Sequence, residues 1–226
     1  MIFEQIRSKG LAHNSYFIGS KGEAAVIDPK RDCWDYLDIA RDNELKITHI
    51  FETHRNEDYV IVSSELTEIV DADIYHGPNL DFKYGHTVVE GDSFKIGNLK
   101  FEILETPGHT DESISIIVVD PEVSKDPYMV FTGDALFAGD VGRTDLYGFE
   151  ERERLANTLY ESLHKKLLEL NDEVIVCPAH GQGSVCGEEI SDHPTTTIGY
   201  EKRNNPMLGL DKDEFIKKKK KETIDV

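Results

Sequence analysis

Four short apolar segments of this chain each lead into a loop that carries a histidine or an aspartate. Apolar runs of this length, bounded by polar clusters, are typical of buried strands. Loops at strand ends hold much of the chemistry of sheet proteins. The segments and the residues that follow them are 47–51 with His54, 99–104 with His109, 128–132 with Asp134, and 174–177 with His180. If these strands share sheets, we expect the four side chains to converge at one edge of the fold.

The residue types in these loops are those that bind transition metals. Two histidines and one carboxylate with open positions form the ligand set of mononuclear iron(II) oxygenase sites, and zinc can use similar groups. The pattern therefore predicts a metal centre and leaves the identity of the metal open.

The composition of the chain argues against several classes of binding partner. The 226 residues include 44 acidic and 25 basic side chains, and the net charge of −19 argues against a surface for nucleic acid or an anionic membrane. No apolar stretch approaches the ~20 residues of a membrane span, and the first residues lack the features of a signal peptide. Cys33, Cys177 and Cys186 form neither a Cys-x-x-Cys pair nor a disulfide framework. We expect a reduced, cytoplasmic protein with no nucleic-acid or membrane partner.

The remaining pattern predicts an α/β protein in which two packed sheets carry helices on the outside. The strongest predicted helix covers 150–170, where four leucines recur at every fourth position. The other predicted helices begin near residue 33 or cover 63–70, 195–203 and 211–220. We predict one domain over residues 1–210, followed at 211–226 by a C-terminal helix and a Lys-rich tail, and we expect Lys217–Lys221 to be solvated.

The four loops resemble the successive metal motifs of the metallo-β-lactamase fold superfamily. The motifs are Thr53-His54-x-x-x-Asp58, Thr106-Pro107-Gly108-His109-Thr110, Phe131-Thr132-Gly133-Asp134 and Pro178-Ala179-His180-Gly181. The resemblance covers nearly the whole chain. It implies an αββα sandwich of two packed mixed sheets with helices outside, and a metal site at one edge of the sheets.

The first motif departs from the superfamily pattern His-x-His-x-Asp-His. Asn56 replaces the second histidine and Tyr59 replaces the last. In dinuclear hydrolases of this fold, including those resembling glyoxalase II, these two histidines bind the first and the second metal respectively. The resemblance therefore disfavours a two-metal hydrolase, because each site loses one imidazole.

Persulfide dioxygenases of the same fold tolerate this loss, since they hold a single iron(II). Carried over to this sequence, their ligands are His54, His109 and Asp134. The stretches 133–145, 178–187 and 196–201 also resemble this branch, in members that often carry a C-terminal rhodanese domain. This chain ends before any such domain.

The resemblance also suggests roles for residues around the metal. Arg143 would bind a carboxylate of the thiol carrier as a bidentate pair, or would form a salt bridge within its acidic loop, to Asp140 or Asp145. His180 would contact substrate or hold the ligands, and it can also be purely structural. The residues expected beside the ligands rather than on the metal are Asp58, Asn56 and Tyr59. Cys33 and Cys177 are predicted core residues, and Cys186 lies in the loop after His180.

Three functional hypotheses follow. The first is an iron(II)-dependent dioxygenase, with one iron per chain, that oxidises a glutathione- or coenzyme A-type thiol persulfide with O₂ to sulfite and thiol. A rhodanese-type sulfur-transfer protein is then a candidate partner, and a homo-oligomer is left open. The second is a zinc- or iron-dependent hydrolase of thioesters. The third is a non-catalytic, degenerate member of the fold.

Overall fold

The first half of the chain forms a six-stranded mixed sheet. The computed structural model describes residues 1–8, 10–55, 62–187 and 189–222. The strands of this sheet, in both chain and spatial order, are β1 (Ile2–Arg7), β2 (Asn14–Ser20), β3 (Glu23–Ile27), β4 (Lys46–Glu52), β5 (Asp73–His76) and β6 (His86–Thr87). The pairs β1–β2 and β2–β3 are antiparallel, and the pairs from β3 to β6 are parallel.

A second six-stranded sheet follows, and its strands again neighbour one another in the order of the chain. Its strands are β7 (Ser93–Ile96), β8 (Leu99–Glu105), β9 (Ile114–Val119), β10 (Met129–Gly133), β11 (Ile175–Pro178) and β12 (Thr196–Thr197). Only β10 and β11 pair in parallel among the described strands of this sheet. The parallel pair places the loops after β10 and β11, which carry Asp134 and His180, at the same edge.

Apolar side chains from both sheets meet in the middle of the molecule. Phe51 of the first sheet stacks on Phe101 of the second, with ring centroids 5.9 Å apart, and Tyr16 and Phe131 lie 5.0 Å apart. These side chains are almost fully buried. Each contributes roughly 1.5–3 kcal/mol through burial, which explains why the alternating apolar pattern selects this face of each strand.

Helices cover the outer face of each sheet. The helices are α1 (Trp34–Asp42), α2 (Ser63–Val70), α3 (Arg152–Lys165), α4 (Ile198–Asn204) and α5 (Lys212–Lys219). The first two pack on the first sheet and the last three on the second. The architecture is therefore the αββα sandwich that the sequence predicts. None of these helices, within the described part of the chain, combines the length and apolar character needed to cross a bilayer.

Two helices predicted in the second half of the chain have different bounds in the structure. The helix predicted over 150–170 ends at Lys165, and a short 3₁₀ turn at Leu167–Glu169 carries Leu167 into the same apolar cluster. The segment 195–203 begins as the short strand β12, and α4 starts only at Ile198, where the Thr197 hydroxyl accepts the Tyr200 N–H. Leu167 is buried although it lies outside the α-helix, so the leucine periodicity does not show where the helix ends.

The run 217–221 is not solvated throughout. It belongs mainly to α5, whose first turn is capped by the Asp211 carboxylate, which accepts the Glu214 N–H at 2.9 Å. Phe215 packs against Tyr160 of α3 with ring centroids 5.4 Å apart. Lys219 faces inward, is 2% exposed and pairs with Glu222. The helix face, rather than the charge of the run, decides which lysine is buried.

Candidate metal centre

The loops after β4, β8, β10 and β11 bring His54, His109, Asp134 and His180 together, as the sequence predicts. All four side chains are buried, and the least buried are His54 and His109 at 2% exposure. The Nε2 atoms of His54 and His109 lie 3.6 and 3.4 Å from Oδ2 of Asp134. One ligand atom from each of these three residues falls within 4.8 Å of the other two. This spacing suits a single metal ion.

His109 is held by the main chain. Its Nδ1 lies 2.9 Å from the carbonyl oxygen of Arg143, which can only accept a hydrogen bond. The proton is therefore on Nδ1, and the lone pair of Nε2 is left facing Asp134. Burial lowers the pKa of His109, although Asp134 and the Arg143 carbonyl act in the opposite direction. The ring is thus in the neutral form that binds metals.

His54 is held by side chains. Its Nδ1 lies 3.0 Å from Oγ1 of Thr53, and that hydroxyl donates to Oδ2 of Asp28 at 2.8 Å. Oδ1 of Asp28 also accepts the Thr53 N–H at 2.8 Å. Sequence reasoning missed Asp28. The signal was present, because Asp28 directly follows the apolar segment 24–27 just as the other site residues follow theirs.

Asp134 is an ionised carboxylate shared by the surrounding imidazoles. Burial acts to raise the pKa of Asp134, but His180, His54 and His109 lower it by more, and the pKa lies well below its usual value. Gly142 approaches so closely that a Cβ there would lie 1.9 Å from the Asp134 carbonyl oxygen and 3.2 Å from Cβ of His109. A larger residue at 142 would displace the main chain that carries the ligand.

His180 contacts Asp134 directly. Its Nδ1 lies 2.7 Å from Oδ1 and 3.0 Å from Oδ2, and the residue is fully buried. These contacts favour a role in holding Asp134 over direct contact with substrate. Asp134, His180 and Cys186 form a second group of ligand-type atoms within 4.8 Å of one another.

Arg143 forms the salt bridge that the sequence offered as an alternative. Its Nε and Nη2 donate to the two carboxylate oxygens of Asp145 at 2.6 and 3.0 Å, and its Nη1 donates to the Val185 carbonyl at 3.2 Å. Asp140 instead accepts the N–H groups of Val141 and Glu189. The Arg143 side chain thus ties together the loops after β10 and β11. Binding of a carrier carboxylate by Arg143 stays a prediction.

Asn56, Asp58 and Tyr59 lie outside the described residues, so their expected positions beside the ligands stay predictions. The last described residue before them, Arg55, donates its N–H to Oε1 of Glu112 at 2.9 Å. Glu112 is 1% exposed and also accepts from the Tyr147 hydroxyl at 3.3 Å. Sequence reasoning missed Glu112, which anchors the start of this loop to the loop that carries His109.

The donor set fits a divalent transition metal. Two imidazole nitrogens and one carboxylate oxygen, which lie within 4.8 Å of one another, suit iron(II) and zinc alike. A divalent ion held by these groups keeps a net charge of +1, which favours an anionic ligand in its remaining positions.

The chain matches a known protein family and named relatives over most of its length. The family model described as "Metallo-beta-lactamase superfamily" matches residues 8–180. The chain is 30% identical over 207 residues to "Hydroxyacylglutathione hydrolase GloC" of Haemophilus influenzae, and the match covers 82% of this chain and 87% of that protein.

Two further relatives carry another name. The chain is 28% identical over 215 residues to "Persulfide dioxygenase ETHE1, mitochondrial" of Mus musculus, with 90% of this chain and 74% of that protein covered. The crystal structure of ETHE1 from Myxococcus xanthus superposes with a TM-score of 0.83 at 34% identity, covering 98% of this chain and 91% of that chain.

Proposed function

The chain belongs to the metallo-β-lactamase superfamily, and on that premise we propose that it is a mononuclear iron(II)-dependent persulfide dioxygenase. The observation that carries the proposal is the group formed by His54, His109 and Asp134, in which both histidines already commit Nδ1 to other partners. The reaction consumes one O₂ and one water for each persulfide. The outer sulfur leaves as sulfite, and the thiol carrier is regenerated.

The iron and the residues around it have separate roles in this reaction. Iron(II), when bound, supplies the redox chemistry with O₂ that side chains lack. His54 and His109 would supply imidazole nitrogen donors, and Asp134 would supply one negative charge. His180 holds the Asp134 carboxylate in place at 2.7 Å. Burial of these residues excludes bulk water and strengthens their electrostatic interactions.

Two further features support the dioxygenase. Relatives named persulfide dioxygenase or ETHE1 match most of this chain at 28% and 34% identity. The substitution of Asn56 and Tyr59 for histidines removes one ligand from each metal of the dinuclear pattern. Both features favour a single metal over two.

The carrier and the setting of the enzyme complete the proposal. The persulfide is of glutathione or coenzyme A type, and Arg143 binds a carboxylate of the carrier. The catalytic domain spans residues 1–210, with α5 and the tail beyond it at 211–226. A rhodanese-type protein supplies or removes sulfane sulfur, and the enzyme acts in the cytoplasm.

A thioester hydrolase is the second candidate, and the match to GloC favours it. In that case zinc or iron would activate water for attack on the thioester. The number of bound metals separates the candidates, since the hydrolase pattern needs two metals per chain. Elemental analysis after loading with iron or zinc measures that number directly.

The experiment that tests the proposal is O₂ uptake by anaerobically purified, iron(II)-loaded protein. Glutathione persulfide and coenzyme A persulfide are supplied in parallel, and sulfite is measured with the O₂ consumed. We expect equal amounts of O₂ consumed and sulfite formed, and no uptake by His109→Ala. Bound iron without uptake from either carrier, together with hydrolysis of a glutathione thioester, would replace the dioxygenase with the hydrolase.

A further inference from the structure

We infer that Asp28, acting through the hydroxyl of Thr53, is a positioning residue that fixes the orientation and the proton of His54 and thereby sets the metal affinity of the site. The inference rests on the proposed role of His54 as a metal ligand. It assigns a function to a residue that is separated from His54 by 26 positions in the sequence.

The three residues form one continuous chain of hydrogen bonds. Asp28 accepts twice from Thr53, from its N–H at Oδ1 and from its hydroxyl at Oδ2, both at 2.8 Å. The same hydroxyl lies 3.0 Å from Nδ1 of His54. All three side chains are buried, so water does not compete for these bonds and each group depends on its protein partner.

The direction of these bonds fixes the tautomer of His54. A threonine hydroxyl has one proton, and the Asp28 carboxylate takes it. Oγ1 is then an acceptor towards His54, so the imidazole proton sits on Nδ1 and the lone pair sits on Nε2. Nε2 is the atom that faces Asp134, at 3.6 Å from Oδ2. These hydrogen bonds therefore hold His54 in the tautomer that binds a metal through Nε2.

The surrounding main chain leaves the hydroxyl little freedom to move. Gly133 has φ +54°, and a Cβ there would lie 2.7 Å from Oγ1 and 2.9 Å from Cβ of Thr53. Asp28 itself has φ +49°, a conformation that few residues other than glycine adopt, and its N–H donates to the Phe51 carbonyl at 2.8 Å. Backbone geometry thus holds both Asp28 and the Thr53 hydroxyl in place.

A carboxylate in this position affects the ligand more than a neutral partner would. Partners that bind the second nitrogen of a metal-ligating histidine orient the ring and raise its basicity, and their loss typically weakens metal binding about 10–100-fold. The charge of Asp28 also interacts with that of Asp134. A cation at the site is therefore attracted by two carboxylates, of which only Asp134 would touch it.

The test measures metal affinity in variants of the intact chain. Asp28→Asn removes the charge and one acceptor oxygen, Thr53→Val removes the hydroxyl, and Thr53→Ser keeps it. Glu52→Gln is the matched control. Glu52 is a fully buried carboxylate at the end of β4, one residue before Thr53, and it accepts a hydrogen bond from the Tyr84 hydroxyl at 2.8 Å. Cobalt(II) and iron(II) dissociation constants are measured by competition with a chelator, and folding is checked by circular dichroism.

We expect affinity to fall about 10–100-fold in Asp28→Asn and in Thr53→Val, and to stay within about 3-fold in Thr53→Ser and Glu52→Gln. The double variant Asp28→Asn with Thr53→Val should be no worse than the poorer single variant, because both changes break the same chain. Affinity that is unchanged in the folded single variants would overturn the inference. An equal loss in Glu52→Gln would also overturn it, since any buried carboxylate would then serve.

A second readout needs neither metal nor activity. Nitrogen NMR of the imidazole in metal-free protein reports which ring nitrogen of His54 carries the proton. The spectra are recorded about two pH units above the pKa of Asp28, which is about 7, so that its carboxyl is ionised. We expect the Nδ1–H form in the wild type and Thr53→Ser, and a mixture of both forms in Thr53→Val. The Nε2–H form of His54 in the wild type would overturn the inference. Because this measurement uses no substrate, failure of the dioxygenase proposal leaves its outcome unaffected.

Discussion

His54 and His109 face the same oxygen of Asp134 at nearly equal distances, but different kinds of partner hold them. His109 donates to a main-chain carbonyl, that of Arg143, at 2.9 Å. His54 depends on the hydroxyl of Thr53 and, through it, on the carboxylate of Asp28. A main-chain partner survives any substitution that keeps the loop in place, whereas a side-chain partner is lost with one substitution.

This difference separates two ways of building equivalent ligands. The His109 side of the site is sensitive to changes that move the backbone, such as added volume at Gly142. The His54 side is sensitive to changes of side-chain chemistry at Asp28 and Thr53. Asp134 belongs to both sides, because each Nε2 faces its Oδ2. Variants at these three places should therefore have effects of different size and kind.

The largest effect is expected for Asp134→Ala, which removes the ligand that both histidines share. Iron should be lost completely, with affinity falling by more than the ~100-fold attributed to a partner outside the metal's own ligands. The fold should survive with a loss of about 1–3 kcal/mol, because His180 loses a buried acceptor. Metal analysis and urea denaturation measure the two quantities.

Asp134→Asn is the companion variant, since it keeps the volume and one acceptor oxygen but removes the charge. It should regain most of the stability and little of the iron affinity. Iron retained at one equivalent in Asp134→Ala would contradict the assignment of this residue as a ligand.

A smaller effect is expected for Gly142→Ala, which tests the main-chain side of the comparison. The added methyl would lie 1.9 Å from the Asp134 carbonyl oxygen, so the loop must shift. We expect a stability loss of about 1–3 kcal/mol and a metal affinity about 10-fold weaker or worse. Gly209→Ala is the control, because nothing lies within 4 Å of a Cβ there. Equal affinities in the two variants would show that the His109 loop tolerates movement.

The smallest effect concerns pH and the side-chain side of the comparison. Burial raises the pKa of Asp28 to about 7 in the metal-free protein, although hydrogen bonds from Thr53 lower it. The folded state then binds more protons than the unfolded state, in which the carboxyl has its usual pKa near ~3.9. The stability that the Asp28 carboxyl contributes is fully present below its pKa in the unfolded state, and it is lost as pH rises through its folded-state pKa of about 7.

Metal-free wild type should therefore lose about 1 kcal/mol of unfolding free energy relative to Asp28→Asn between about pH 6 and about pH 8. The asparagine does not titrate, so the difference between the two proteins isolates Asp28 from His109 and Asp134. Urea denaturation at both pH values gives the comparison. If the unfolding free energies of the two proteins change in parallel with pH, the Asp28 carboxyl has the same pKa in the folded and the unfolded state.

Sequence reasoning succeeded where local pattern and chemistry agree. The positions of His54, His109 and Asp134 after apolar strands predicted their convergence. In the second sheet β8 and β10 both run antiparallel to β9, so the loops that follow them lie at one edge. It did not choose between Asp140 and Asp145 as the partner of Arg143, since both lie within three residues. The path of the loop selects Asp145.

Sequence reasoning failed where distant segments decide the outcome. Leu167 continues the leucine row, but the chain leaves the α-helix after Lys165 and reaches the same cluster through a 3₁₀ turn. Lys219 lies in a run of lysines that looks uniformly solvated, yet the docking of α5 on α3 turns it inward. Local charge and periodicity carry no information about which neighbour a helix meets.

The sequence by itself determined the two-sheet sandwich and the residue types that meet at its edge, because apolar periodicity and strand-end loops are local properties of the chain. Only the tertiary structure decided how His54 is held. Strands β3 and β4 pair in parallel with Ala24 opposite Ile47 but Ala25 opposite His49, so one extra residue of β4 bulges between them. That shift places Ile27 opposite Phe51 and brings Asp28 beside Thr53. A slip of one residue would reverse the faces of the strand, so the relay exists because pairing register, not local sequence, aligns its members.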